Sequence, residues 1–169
     1  VFNYYMKNVT ENTKLAITIM DKNKKVIKTF PEAGGGSFAG GRFGGGFPQM
    51  GATAGKVEVN NGMNQFEWDM NYPPAERVEG LILWNGFVGG PKAAPGNYFA
   101  KFKSGSDSVE VPFTIIPNPN YSGTQADYDN QFNFLITLRD KSSEVMRAIK
   151  DIREVRQQMD QFSARIGRD

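Results

Sequence analysis

The sequence predicts a mainly β domain, an immunoglobulin- or fibronectin-III-like antiparallel β-sandwich, followed by a long amphipathic, coiled-coil-like helical arm. Three observations lead there. The run Phe66-Glu67-Trp68-Asp69-Met70 alternates large apolar with charged residues at period two, which places Phe66, Trp68 and Met70 on one face of a strand and Glu67 and Asp69 on the other. Short alternating segments separated by turn residues fill the chain to about residue 117. From Thr124 the pattern changes: glycine is absent until Gly167, proline does not recur, and apolar residues step at three and four. The expected layout is a sandwich over 1–117 with a glycine-rich insertion at 33–55, a linker at 118–123, and a helical arm over 124–169.

Taken in order, VFNYYM is strand-like, and Leu15, Ile17 and Ile19 alternate into the polar turn Asp21-Lys22-Asn23-Lys24. With Val26 to Phe30 on the far side of that turn, the two segments form a predicted hairpin. Further strands are expected at Lys56 to Val59, Gln65 to Met70, Gly80 to Trp84, Asn97 to Lys103 and Val109 to Ile115. The turn Ala94-Pro95-Gly96-Asn97 opens the strand with Tyr98, Ala100 and Phe102 on one face, and Ser104-Gly105-Ser106-Asp107 joins it to the next. Pro112 lacks the N–H that a central ladder needs, so its strand belongs at a sheet edge or carries a bulge. Trp68 is expected between two sheets, with Phe66, Met70, Ile17 and Phe102 nearby.

Ten of the nineteen glycines fall between Gly34 and Gly55. A phosphate-binding loop would need Gly-Lys-Ser/Thr opening a helix, and neither that nor a clean Gly-x-Gly-x-x-Gly occurs. Arg42 with Phe38, Phe43 and Phe47 resembles an RGG-type RNA segment only faintly, because one arginine supplies little phosphate attraction. A flexible inter-strand insertion is the expectation.

In the arm, Thr124-Gln125-Ala126-Asp127 resembles a capping box with Asp in the usual Glu position. Phe134, Leu138, Val145, Ala148, Ile152, Val155, Met159, Phe162 and Ile166 then form a heptad seam with Lys141 in one slot, widened near its start by Phe132, Leu135 and Ile136. A break near Lys141 to Glu144 would give two helices; one long helix or a gently interrupted pair is expected. A straight helix of about 40 residues spans about 60 Å, longer than a small sandwich, so part of the seam must bury itself elsewhere. The candidate interaction residues are Val145, Ile152, Val155, Met159, Phe162 and Ile166, facing another protein or a return helix expected beyond Asp169.

Composition restricts the chemistry. The 169 residues carry no cysteine and no histidine, so a Cys/His zinc site, a Ser-His-Asp triad and a Cys-His dyad cannot be built from this chain. The net charge is only +2, which gives no electrostatic footprint for nucleic acid. No run of apolar residues is long enough to span a membrane. No metal, no cofactor and no catalytic residue is expected. Glu67 and Asp69 share a strand face, a spacing compatible with two glycosidase carboxylates, yet no cleft-building aromatic pattern accompanies them. Tyr72, Trp84 and Phe87 are the candidates for glycan contact by stacking, against a core role that Trp84 in particular would suit.

VFNYYMKNV, KLAITIMDKNKKVIKTF, GMNQFEWDMNYPPAE, APGNYFAKFK and FLITLRDKSSEVMRAIKDIREVRQQM, in that order, resemble the C-terminal region of sortilin-like, BNR-repeat "glycosyl hydrolase" β-propeller proteins of Bacteroidetes-type bacteria. The resemblance implies an upstream propeller in the same protein, a secreted, periplasmic or outer-membrane-associated location, and an accessory or docking role without catalysis. A carbohydrate-binding sandwich is the alternative. Under the same resemblance, Asp107-Ser108-Val109 matches an Asp-Ser/Thr-apolar pattern for O-glycosylation at Ser108.

Overall fold

The computed structural model describes residues 1–31, 55–80 and 89–167. Among these residues, six antiparallel strands precede one long helix. The strands are β1 (Phe2–Met6), β2 (Ala16–Met20), β3 (Val26–Phe30), β4 (Gly62–Phe66), β5 (Gly96–Ser104) and β6 (Asp107–Ile115), and the helix is α1 (Gln125–Ile166). They divide into a four-stranded sheet of order β3-β2-β5-β6 and a two-stranded sheet of β1 and β4.

Local chemistry sets the hairpins. Asp21 Oδ1 accepts from the backbone N–H of Asn23 and Lys25 at 2.8 and 2.9 Å, and this side-chain-closed turn brings Ile17 opposite Phe30. The β5–β6 loop is two residues long, since Ser104 pairs with Asp107. Its first residue, Gly105, has φ +59, the left-handed conformation that a hairpin of this length places on glycine. Pro112 lies opposite Phe99 on β6, and β6 is an edge strand, where its missing N–H breaks no second ladder.

The core draws on both sheets. Ile17, Ile19, Phe66 and Ala100 are wholly buried, with Leu15, Ile27, Phe30, Trp68 and Tyr98 around them. The Phe2 ring of β1 meets Phe66, Phe102 and Phe113 at centroid distances of 6.1, 6.2 and 5.0 Å, in the tilted and edge-on arrangements that aromatic quadrupoles favour.

Two expectations about the β region are corrected. The strand expected over Gln65 to Met70 ends at Phe66. Trp68 stays buried, but Met70 has φ +60 and is 40% exposed. Asp69 causes the departure: its Oδ1 accepts from the Asn71 backbone N–H and its Oδ2 from Asn71 Nδ2, both at 3.0 Å. This Asx turn pulls the chain out of the extended conformation before Met70 can reach the core. The rings beside Trp68 are accordingly Tyr98 and Phe113, at 6.1 and 6.2 Å, while Phe102 stands against Phe2 and Tyr4. Lys56 to Val59 is not a strand; Val57 and Val59 pack on the core nonetheless, and Glu58 O accepts from the Tyr4 hydroxyl. Of the strand expected from Gly80 to Trp84, all but Gly80 lies outside the described residues, as do Phe38, Arg42, Phe43 and Phe47 of the glycine-rich segment.

By internal contacts, Val1–Tyr72 and Ala93–Ser122 form one compact unit and Pro73–Lys92 with Gly123–Asp169 form another. The first holds all six strands. The second is the helix with the segment that packs on it.

Candidate functional site

Helix α1 is a single element of 42 residues, about 63 Å long at 1.5 Å per residue, with no break between Lys141 and Glu144. Its start is fixed chemically: Thr124 Oγ1 accepts from the Asp127 N–H at 3.2 Å, and Asp127 Oδ2 accepts from the Thr124 backbone N–H at 2.9 Å. The expected capping box is therefore present. The Thr124 hydroxyl, which donates to Asp127 Oδ2 at 2.7 Å, and then the Thr124 backbone N–H hold the Asp127 carboxyl below its ordinary pKa.

One face of α1 is used within its own unit. Tyr128, Phe132, Ile136, Arg139, Ser143, Met146 and Ile149 recur at three and four and are buried or half-buried. Ser143 Oγ accepts from the Glu76 N–H at 3.1 Å and donates to Arg139 O at 3.0 Å. Arg139 Nη1 donates to Pro73 O at 3.3 Å and Arg153 Nη1 to Glu79 O at 2.9 Å. Short polar side chains and arginine forks thus satisfy the backbone of an irregular segment that no sheet ladder satisfies.

The seam lies on the other side. At about 100° per residue, Leu138, Val145, Ala148, Ile152, Val155, Met159, Phe162 and Ile166 centre roughly opposite the Ser143 face. Val145, Ile152, Val155, Met159, Phe162 and Ile166 are each between 55% and 68% exposed. Beyond Ile149 every residue to Gly167 is exposed, so the last four turns have no packed face among the described residues. Lys141, in its seam slot, places Nζ 2.7 Å from Glu144 Oε2. That hydrogen bond raises the lysine pKa and lowers the glutamate's.

The other described candidates belong to the unit that holds the strands. Tyr72 is half-buried and packs against the β core, so part of its ring is already occupied; Trp84 and Phe87 lie outside the described residues. Ser108 is exposed on β6, opposite Lys103 and one residue from the hairpin loop. Glu67 is exposed, and both carboxylate oxygens of Asp69 are engaged by Asn71. Among the described residues no cluster of three or more Asp and Glu side chains is placed to hold a metal ion, and no helix is long and apolar enough to cross a membrane.

Compared with family models, curated proteins and solved structures, the chain matches none.

Proposed function

We propose that this chain is a non-catalytic docking module: a β domain followed by a helix whose apolar seam engages another polypeptide. The observation that carries the reading is the seam itself, six large apolar side chains at heptad spacing, each more than half exposed, continuing along a stretch that buries nothing. A helix draws most of its stability from packing an amphipathic face, and an exposed apolar stripe of this extent marks an interaction surface. In this reading the β domain is of the immunoglobulin- or fibronectin-III-like kind and closes a secreted or envelope-associated β-propeller protein. The order of the five sequence segments supports that context.

Hydrogen exchange on the isolated chain and on the protein in its native assembly tests the docking role. Residues 145–166 should gain protection in the assembly. Equally fast exchange in both ends the reading. The same proposal predicts no glycoside or peptide cleavage by the chain; turnover lost in Glu67→Gln or Asp69→Asn would make it an enzyme.

A further inference from the structure

We infer, resting on the docking reading above, that the seam's occupant is a second copy of the same helix, paired antiparallel with Ile152 of one copy facing Val155 of the other. The seam reads as heptads with Val145, Ile152, Met159 and Ile166 at a and Lys141, Ala148, Val155 and Phe162 at d. In an antiparallel pair each a side chain meets a d side chain of the second copy. This register places Val145 against Phe162, Ala148 against Met159, and Ile152 against Val155. Two of these three layers join a small side chain to a large one, as interdigitated packing requires. A parallel pair would instead set Ala148 on Ala148, leaving a gap, and Lys141 on Lys141, joining like charges in the seam. Antiparallel pairing sends the two lysines to opposite ends, each against Ile166 of the second copy, with Nζ already held by Glu144.

The flanking charges agree. Positions g meet g across an antiparallel pair, and here Glu144 comes level with Arg165 of the second copy, twice by symmetry. Asp151 comes level with Gln158. At the e positions Ile149 meets Arg156 and Ser142 meets Ser163, so no like charges are opposed. Among the described residues of the helix's own unit, the face bonded to Pro73–Glu79 lies on the other side of α1 from the seam. With roughly 100 Å² offered by each of the six large side chains, two copies bury on the order of 1,200 Å², the lower edge of a specific interface.

The absence of native cysteine makes cross-linking decisive. Light scattering of the whole chain should give a dimer mass at tens of micromolar. Under mild oxidation Ala148→Cys alone and Met159→Cys alone should stay uncross-linked, while an equimolar mixture should form the mixed disulfide, all three samples keeping wild-type helical circular dichroism. A monomer throughout overturns self-pairing, and cross-linking of either variant alone overturns the antiparallel register. Charge variants give a second arm: Glu144→Arg and Arg165→Glu should each weaken the dimer by about tenfold and restore it when mixed. A monomeric chain whose residues 145–166 still gain protection in the native assembly would end the second-copy inference and leave the docking reading standing; no gain of protection would end both.

Discussion

Ile17 and Ile152 are the same residue in opposite circumstances: the first, on β2, is wholly buried, and the second, on α1, is 68% exposed. In the β region, side chains from two sheets converge on one cluster, and burial there fixes strand register because a one-residue slip would turn every apolar side chain outward. In α1 beyond Ile149, regular apolar spacing persists while every described residue is exposed. Periodicity alone therefore identifies a face. Whether that face is core or interface depends on what the rest of the chain can bring to it.

The contrast is sharpest at Trp68. Its replacement by Ala should cost about 3–5 kcal/mol of β-domain stability, the range for deleting a buried large aromatic, with exchange in 150–166 unchanged. Denaturant unfolding followed by near-ultraviolet circular dichroism measures it; a loss below about 1 kcal/mol would mean that Trp68 does not anchor the core.

Ser143 tests the buried side of the helix. Ser143→Ala leaves the Glu76 N–H without its acceptor and should cost about 1–3 kcal/mol, seen as faster exchange of the Glu76 amide. An unchanged amide would show that the Arg139 and Arg153 bonds hold the segment by themselves.

On the exposed side the expectation reverses. Ile152→Asp with Met159→Asp should abolish association while shifting the stability of the monomer by under about 1 kcal/mol, because both side chains already stand in water and the remaining cost is mainly helix propensity. Unfolding measured at low protein concentration checks this. A large loss there would show the seam to be core.

Where local chemistry decides, the sequence was readable. Asp21 to Lys24 announced the β2–β3 turn, Gly105 the β5–β6 loop, Pro112 an edge strand, and Thr124 with Asp127 the start of α1. The seam was legible because its spacing never falters from Phe134 to Ile166. Less legible was the end of β4, where alternation through Met70 competes with the Asp69–Asn71 turn and the side-chain hydrogen bonds win. The β1–β4 pairing brings Phe2 opposite Phe66 across 63 intervening residues, and nothing local encodes it. Phe132 and Ile136, expected to widen the seam, are half-buried on the second face of α1 instead. Its centre is Ser143, a small polar residue that hydropathy discounts and that matters for the backbone bond it accepts.

The smallest expected effect lies where α1 begins. Asp127 is fully exposed, yet its carboxyl is held below the ordinary value of 3.8 by the Thr124 side chain first and the Thr124 backbone N–H second. A carboxylate whose folded pKa is depressed contributes stability that is complete above its unfolded pKa and is lost as pH falls through the folded value. The first turn of α1 should therefore be fully formed from about pH 5 upward and fray progressively below about pH 4, with exchange accelerating at the amides of Thr124 and Asp127 while the Ser143 region holds. Carboxyl chemical shifts should place the Asp127 midpoint below 3.8. Thr124→Ala should move it back toward that value, and Asp127→Asn should remove the pH dependence of the turn. A midpoint at or above 3.8 in the wild-type chain would mean that the capping box does not hold in solution, and that α1 begins further along, at the face secured by Ser143.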